Sequence, residues 1–227
     1  MSDDPNTGGD TSIRHVPARF QGSDLPPMSG LEEVQNLSAF EWFSEPKEFS
    51  LITGTLSMRT EAETDFWQRT HYSIQRDNGH CFLKTISGDF TISTHTSFSP
   101  EAQYDQCGLF ARVDSENWIK CSSEFEHSSL SRLGTVVTNL GYSDWSSQDI
   151  TTPLSSIWFR LSREGNDFLI EQSSDGESWE QMRVTHLHQV KDALKVGVYA
   201  CSPVGNGFRC SFNHIELNSN ARSKKEM

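Results

Sequence analysis

Long apolar runs are absent from this sequence, and positive charge is scarce. No segment approaches the roughly 20 apolar residues of a membrane span, and the first residues contain no apolar run of signal-peptide length. The sequence therefore predicts a soluble protein of the cytoplasm. The 31 acidic residues outnumber the 19 basic ones and give a formal net charge of −12. This charge argues against nonspecific binding to nucleic acid or to anionic membranes, because both are polyanionic.

Cysteine is also scarce, and its spacing is uninformative. The five cysteines are an odd number, and none stands in a Cys-x-x-Cys pair. This usage favours reduced thiols over a secreted disulfide framework, with a Cys201–Cys210 pair as the less favoured alternative. No Gly-x-Ser-x-Gly elbow occurs. His186 and His188 would share one face of a strand, but no third ligand stands at a telling spacing, so we expect no metal and no other cofactor.

Short strand-like runs separated by turn residues follow one another through most of the chain, and no convincing helix exceeds a turn or two. The predicted strands are Ser50–Met58, Thr70–Ile74, Cys81–Ile86, Phe90–Phe98, Gly108–Val113, Trp118–Phe125, Gly134–Asn139, Ile157–Ser162, Asp167–Ser173, Lys195–Cys201 and Phe208–Leu217. Regular turns between so many short strands predict an all-β fold, a two-sheet antiparallel jelly-roll sandwich.

The two ends of the chain differ in composition from its middle. Residues 1–30 hold half of the eight prolines and a single aromatic residue, Phe20, so they have little apolar surface to offset the entropy of ordering. We therefore expect a flexible arm over residues 1–30, one sandwich over residues 31–217 and a polar tail over residues 218–227. All six tryptophans lie in the expected sandwich and supply material for its core.

The strand that begins at Trp118 has the composition of a recognition surface. Alternation puts Trp118, Lys120 and Glu124 on one side of it. Ile119 and Cys121 fall on the other side, which is the better candidate for core. Lys120 and Glu124 could equally be ordinary surface charges, and Trp118 could be packing rather than a platform for a flat ligand such as a sugar ring.

We expect a site where neighbouring strands bring further side chains to the same concave face. Its expected members are Asp105, Trp118, Lys120, Glu124, Arg160 and Tyr199. In that arrangement Lys120 and Arg160 would offset the carboxylates, because burying these charges unpaired would be costly. Asp144 and Trp145 would add a carboxylate and an indole at a loop mouth. A turn-starting aspartate and a tryptophan lid over the core explain that pair about as well.

A set of short motifs occurs in order from about Trp42 to Phe212. The set comprises Trp42, Phe66-Trp67, Gly88-Asp89-Phe90, Tyr104-Asp105-Gln106-x-Gly108-Leu109, Trp118-x-Lys120-x-x-x-Glu124, Val136-Val137-Thr138, Asp144-Trp145-Ser146, Ser174-Asp175-Gly176-x-x-Trp179-x-x-x-Arg183 and Gly197-x-Tyr199-Ala200-Cys201-Ser202-Pro203. Together they resemble the DUF1349 family of regulation-of-enolase-protein-like sequences. The resemblance implies a concanavalin A-like lectin/glucanase sandwich and supplies no catalytic set to carry over.

Glucanases of that fold carry three carboxylates in the pattern E-x-D-x-x-E along one concave strand. The nearest stretch in this chain is Glu63-Thr64-Asp65-Phe66-Trp67-Gln68. Glutamine holds its last position and cannot protonate a leaving group. This departure argues against glucanase-type hydrolysis.

Two classes of function fit the sequence. The first is a lectin-like module that binds a carbohydrate, another small polar ligand or a protein partner such as a glycolytic enzyme on the concave face, and regulates carbohydrate metabolism; the resemblance favours it. The second is an enzyme (hydrolase, lyase or isomerase/cyclase) acting on a small molecule in the same groove. Asp105 and Glu124 would then be acid and base, with Lys120 tuning their charge or holding an oxyanion. An open aromatic groove would favour binding, and a closed pocket with converging charges would favour catalysis.

Overall fold

The computed structural model describes residues 37–151 and 154–220, which form two seven-stranded sheets and a two-stranded hairpin. The strands are β1 (Glu41–Phe43), β2 (Glu48–Ile52), β3 (Thr55–Arg59), β4 (Phe66–Gln68), β5 (Gln75–Asp77), β6 (His80–Ser87), β7 (Asp89–Ser99), β8 (Gln106–Asp114), β9 (Asn117–His127), β10 (Leu130–Asn139), β11 (Tyr142–Thr151), β12 (Ser156–Glu164), β13 (Asp167–Ser173), β14 (Glu180–His186), β15 (Ala193–Cys201) and β16 (Arg209–Asn220). A 3-10 turn at Leu37–Ala39 precedes β1. The expected arm over residues 1–30 lies outside the described residues.

The two large sheets pack face to face. Sheet 1 has the strand order β1-β6-β15-β8-β9-β10-β11, and sheet 2 has the order β14-β13-β12-β7-β16-β3-β2. Their facing sides enclose one hydrophobic cluster, the inner core, which includes Ile119 and Cys121 of β9 and Phe159 and Leu161 of β12. Every pairing within the two sheets is antiparallel. The predicted all-β sandwich of two antiparallel sheets is confirmed.

None of the described residues belongs to a helix that is long and apolar enough to cross a membrane.

Two predicted strands are wrong in detail. The run Ser50–Met58 is a hairpin of two strands, β2 and β3, and its turn residues Thr53 and Gly54 both have positive φ, 49° and 77°. Successive left-handed residues are typical of a two-residue hairpin turn, and threonine obscures that signal because it rarely adopts this conformation. The run Thr70–Ile74 is a turn region between β4 and β5, with positive φ at His71 and Ser73.

The sequence also fails to predict several strands at the sheet margins. The long strand β11 is one of them, because most of its side chains are polar and exposed and lack a hydrophobic alternation. It is the last strand of sheet 1 and pairs with β10 only. At the end of the sandwich, β16 continues to Asn220, which pairs with Asp89, so the sheet extends past the expected boundary at residue 217. Residues 221–227 of the expected tail lie outside the described residues.

Residues 60–79, here called the cover, lie across part of the outer face of sheet 1. The cover contains β4 and β5, and Ala62 forms a parallel bridge with Ser202 just after β15. Between the cover and sheet 1 lies a second hydrophobic cluster, the outer core. It comprises Phe66, Cys81, Leu83, Phe110, Trp118, Val136, Tyr199 and Cys201. Sheet 1 is therefore buried on both sides where the cover crosses it. Cys201 and Cys210, the alternative disulfide partners, belong to the outer and inner core respectively.

Candidate functional site

Alternate residues of β9, β10 and β11 form three transverse rows on the outer face of sheet 1. The rows are Lys120–Val136–Trp145, Ser122–Gly134–Ser147 and Glu124–Arg132–Asp149. Residues paired across antiparallel strands point to the same side of a sheet, so each row shares one face. Along this face the environment changes from the buried Lys120 to the half-buried Glu124 and the exposed Trp145.

Lys120 is a deeply buried charge that joins the cover to sheet 1. Its Nζ donates to the carbonyl oxygen of Phe66 at 2.9 Å and lies 3.3 Å from Oδ1 of Asp65. The rings of Trp118 and Tyr199 lie 6.0 and 5.9 Å from the same nitrogen. Burial acts to lower the pKa of Lys120, but the Asp65 carboxylate, with smaller contributions from Cys201 and Glu124, raises it, and the net pKa is raised. The lysine is therefore charged and committed to holding the cover.

Trp118 and Tyr199 belong to the outer core rather than to a ligand-binding surface. Both are fully buried. The ring of Trp118 stacks on Phe110 and meets Phe66 edge-on, with centroid distances of 5.5 and 6.1 Å. The hydroxyl of Tyr199 donates to Oε1 of Gln106 at 3.1 Å. Neither ring can stack on a ligand, so the expectation that these two residues bind one directly is wrong.

Glu124 lies where the face becomes accessible. Its Oε2 accepts a hydrogen bond from Nε2 of Gln106 at 2.9 Å, and the same amide accepts from Tyr199, which fixes its orientation. Burial raises the pKa of Glu124 to about 7, although the neighbouring Lys120 acts to lower it. A carboxyl group with such a pKa exchanges protons near neutral pH.

Trp145 supplies an exposed aromatic ring, with 38% of its surface accessible. Its Nε1 lies 3.1 Å from the position that a Cβ on Gly134 would occupy, so the absence of a side chain there makes room for the indole. The guanidinium carbon of Arg132 is 5.7 Å from the ring centroid. Arg132 is itself held by Glu126, with Nε and Oε1 2.7 Å apart. These contacts hold the indole against the sheet.

Arg160 does not join this face. It lies on β12 of sheet 2, where its Nε donates to Oε2 of Glu171 at 2.7 Å and its guanidinium lies 4.1 Å from the Trp179 ring centroid. Alternation correctly predicts that Arg160 points away from the inner core. The outer faces of the two sheets point in opposite directions, however, so the expected convergence of Arg160 with Lys120 is wrong.

Asp105 is buried and fully engaged in local structure. Its Oδ2 accepts from the backbone N–H groups of Glu101 and Ala102, each at 2.8 Å, and its Oδ1 accepts from the hydroxyl of Ser202. These bonds fix the loop that leads into β8. Asp105 therefore has a structural function and does not pair with Glu124 as the expected acid or base.

Asp144 and Trp145 are neighbours in β11 and so point to opposite faces of sheet 1. Oδ2 of Asp144 lies 2.7 Å from Nη2 of Arg183 on β14, which links the margins of the two sheets. The expectation that both residues meet at one loop mouth is wrong, and Trp145 alone belongs to the outer face.

Sequence reasoning misses Gln106, Arg132 and Gly134. Gln106 is hidden because its role depends on Tyr199, which lies on a different strand. Arg132 and Gly134 share a face with Glu124 only once the register of β10 on β9 is known. Pairing of Gly134 with Ser122 would have placed both residues on the face of Glu124. No local pattern in the sequence predicts that pairing.

Comparison with known proteins identifies the family. A family model described as a protein of unknown function, DUF1349, matches residues 42–220. The chain belongs to this family. It is 33% identical over 182 residues to Regulation of enolase protein 1 of Saccharomyces cerevisiae, an alignment that covers 80% of this chain and 90% of that protein.

Solved structures agree with this membership of DUF1349. The crystal structure of a functionally unknown protein from Saccharomyces cerevisiae is similar with a TM-score of 0.77 and 30% identity, covering 82% of this chain and 99% of that chain. The GH43 BlXynB protein from Bacillus licheniformis is similar with a TM-score of 0.63 and 16% identity, covering 80% of this chain and 37% of that one. At that identity the likeness is one of fold, and the fold is concanavalin A-like as the resemblance implies.

Proposed function

We propose that this DUF1349 protein binds a carbohydrate or another small polar ligand on the outer face of sheet 1, between Glu124 and Trp145. The observation that carries the proposal is the exposed indole of Trp145, held over Gly134 on the same face as a half-buried carboxylate. Trp145 lies two strands and two rows from Glu124, and its indole extends over Gly134 in the row between them, which brings the ring toward the carboxylate.

The chemistry of these groups matches a saccharide. A sugar ring has apolar C–H faces that stack on an indole, and hydroxyl groups that donate to a carboxylate or exchange hydrogen bonds with an amide. Trp145 would provide the stacking surface, while Glu124 and Gln106 would accept and donate hydrogen bonds. Gly134, which lacks a side chain, makes room for this indole to lie close to the sheet. We further propose a role in regulating carbohydrate metabolism, which the name of the yeast relative supports.

Binding is favoured over catalysis because the expected catalytic set is dispersed. Lys120 contacts Asp65 and donates a hydrogen bond to Phe66, and Asp105 accepts hydrogen bonds from the loop before β8. One observation favours an acid–base enzyme as a second candidate: the pKa of Glu124, about 7, suits a group that takes and gives a proton at neutral pH.

Titration calorimetry with neutral monosaccharides and oligosaccharides tests the binding proposal. Trp145→Ala should weaken binding by tenfold or more, because it removes the stacking surface. Tyr142→Ala is the matched control: this aromatic residue is 63% exposed on the same strand and faces away from Glu124. It should change affinity less than twofold. Failure of every saccharide to bind, or binding that survives loss of Trp145, would reject the proposal.

Glu124→Gln separates the two candidates. For a binding module the change should weaken affinity by about tenfold or more, because it removes one hydrogen bond to a charged group. For an enzyme it should abolish turnover of the bound saccharide while binding remains measurable. Product analysis by mass spectrometry after incubation with the ligands that bind the wild-type protein distinguishes these outcomes.

A further inference from the structure

We propose that the ligand of this face carries a protonated amine, as an amino sugar does, and that Glu124 is the residue that binds the ammonium group. This inference rests on the proposed ligand-binding function and narrows it to a class of ligand. It is carried by the distribution of charges and hydrogen bonds around Glu124.

The nearest buried cation is already paired. Nζ of Lys120 lies 3.3 Å from Oδ1 of Asp65 and donates to a backbone carbonyl of the cover. Lys120 and Glu124 are four residues apart on one strand and share a face, yet no ion pair joins them among the described residues. The ion-pair partner of Lys120 is therefore Asp65 and not Glu124.

The cation on the other side of Glu124 is also paired. Arg132 is the direct neighbour of Glu124 across β9 and β10. Its Nε lies 2.7 Å from Glu126, and its Nη1 lies 3.8 Å from Asp149. Two carboxylates thus already share this guanidinium. Around the site, four carboxylates face two cations, and Glu124 is the one for which residues 37–151 and 154–220 provide no ion-pair partner.

The hydrogen bonds of Glu124 are similarly incomplete. Oε2 accepts from Gln106, and in the described part of the chain no second donor forms a hydrogen bond with the carboxylate. An ionised carboxylate offers about four acceptor sites. Tyr104 lies close enough to be affected by this charge: burial raises the pKa of its hydroxyl, and Glu126 and Glu124 raise it further. The hydroxyl therefore stays neutral and provides no counter-charge.

An ammonium group supplies what Glu124 lacks. It brings one positive charge and three hydrogen-bond donors, whereas a neutral hydroxyl brings no charge to the half-buried carboxylate. The net charge of −12 would also attract cationic ligands to the protein before they bind. Because a bound cation favours the ionised carboxylate, binding should lower the pKa of Glu124 from about 7 and release a proton.

Matched sugar pairs test this inference at neutral pH. Glucosamine, galactosamine and 6-amino-6-deoxyglucose are each compared with the parent hydroxyl sugar by titration calorimetry. At least one amine should bind tenfold or more tightly than its parent, and Glu124→Gln should remove that preference. Glu164→Gln removes the same charge from an exposed position on β12 in sheet 2 and should preserve it. Circular dichroism confirms that both variants fold.

The outcomes distinguish this inference from the function on which it rests. If amine and hydroxyl sugars bind equally, and Trp145→Ala weakens both, the amine inference is overturned and the binding function stands. A preference for amines that survives Glu124→Gln, or that Glu164→Gln reduces as much, reflects nonspecific attraction and also overturns it. If no sugar binds, both proposals fail.

Carbon-13 NMR of the Glu124 carboxyl provides a second readout. The apparent pKa of the free protein should fall by one unit or more when the amine sugar is saturating, and should stay unchanged with the hydroxyl sugar. An unchanged pKa in the presence of a bound amine would contradict direct contact between the ammonium group and Glu124.

Discussion

One row on the outer face of sheet 2 and the covered part of the outer face of sheet 1 carry side chains of very different size. Sheet 2 has one serine on each of five adjacent strands, and the five lie in a single transverse row: Ser156, Ser97, Ser211, Ser57 and Ser50. Sheet 1 instead carries Phe110, Trp118 and Tyr199 on its outer face, all fully buried under the cover. Small hydroxyl side chains can remain in water without cost, whereas large apolar rings gain free energy when another segment excludes water from them.

This difference also explains where the accessible chemistry lies. On sheet 1 the cover buries the residues beneath it, and Lys120 attaches the cover to the sheet through Asp65 and Phe66. Beyond the cover the same strands continue, and there Glu124 and Trp145 remain accessible. The candidate site is thus a border between a buried and an exposed part of one sheet face.

The largest expected effect comes from removing the apolar residue that the cover inserts into the outer core. Phe66 is fully buried against Phe110 and Trp118. Phe66→Ala should lower the free energy of unfolding by about 3–5 kcal/mol, through lost burial and the cavity left behind. Ser57→Ala in the open serine row should change it by about 0.5 kcal/mol or less. Urea unfolding measures both, and similar losses at the two positions would show that the two faces do not differ energetically.

The next largest effect concerns Lys120. Lys120→Met keeps an unbranched side chain of similar length but leaves the Phe66 carbonyl without this donor and the Asp65 carboxylate without its cation. The free energy of unfolding should fall by about 1–3 kcal/mol, toward the lower end because the Asp65 side chain is 18% exposed and can be hydrated. Limited proteolysis should then cut first within the cover. Lys195→Met, at an exposed position on β15, is the control and should be close to neutral. Unchanged stability and proteolysis in Lys120→Met would contradict the anchoring role.

The smallest expected effect is the contribution of Glu124 to the pH dependence of the free energy of unfolding. Burial raises the pKa of Glu124 from 4.5 to about 7, so the native state holds this proton more tightly than the unfolded state. The contribution to stability is present at acid pH and is lost as the pH rises through about 7. Relative to wild type, Glu124→Gln should therefore gain about 1–2 kcal/mol between pH 4 and pH 8. Urea unfolding at both pH values measures this. A difference that stays constant between the two pH values would show that Glu124 is not desolvated.

Much of the fold is predictable from local sequence because alternation is a local property. The predicted core side of β9, with Ile119 and Cys121, and that of β12, with Phe159 and Leu161, both lie in the inner core. The errors fall where the local signal is weak. Thr53 occupies a left-handed turn position without being glycine, and β11 is a polar strand at a sheet margin. The cover is also missed, because its strands β4 and β5 are only three residues long.

The all-β class, the inner side of the central strands and the family are predictable from the amino-acid sequence alone. These features depend on side-chain periodicity and on ordered motifs. Both can be recognised without knowing which distant segments are in contact. Three features depend on the three-dimensional arrangement: Arg160 faces away from Lys120, the cover buries Trp118 and Tyr199, and Glu124 shares its face with Trp145. Alternation tells which of two sides a side chain takes, but strand order and register decide which sheet it belongs to and what lies across it. Those are set by pairing between residues far apart in the chain.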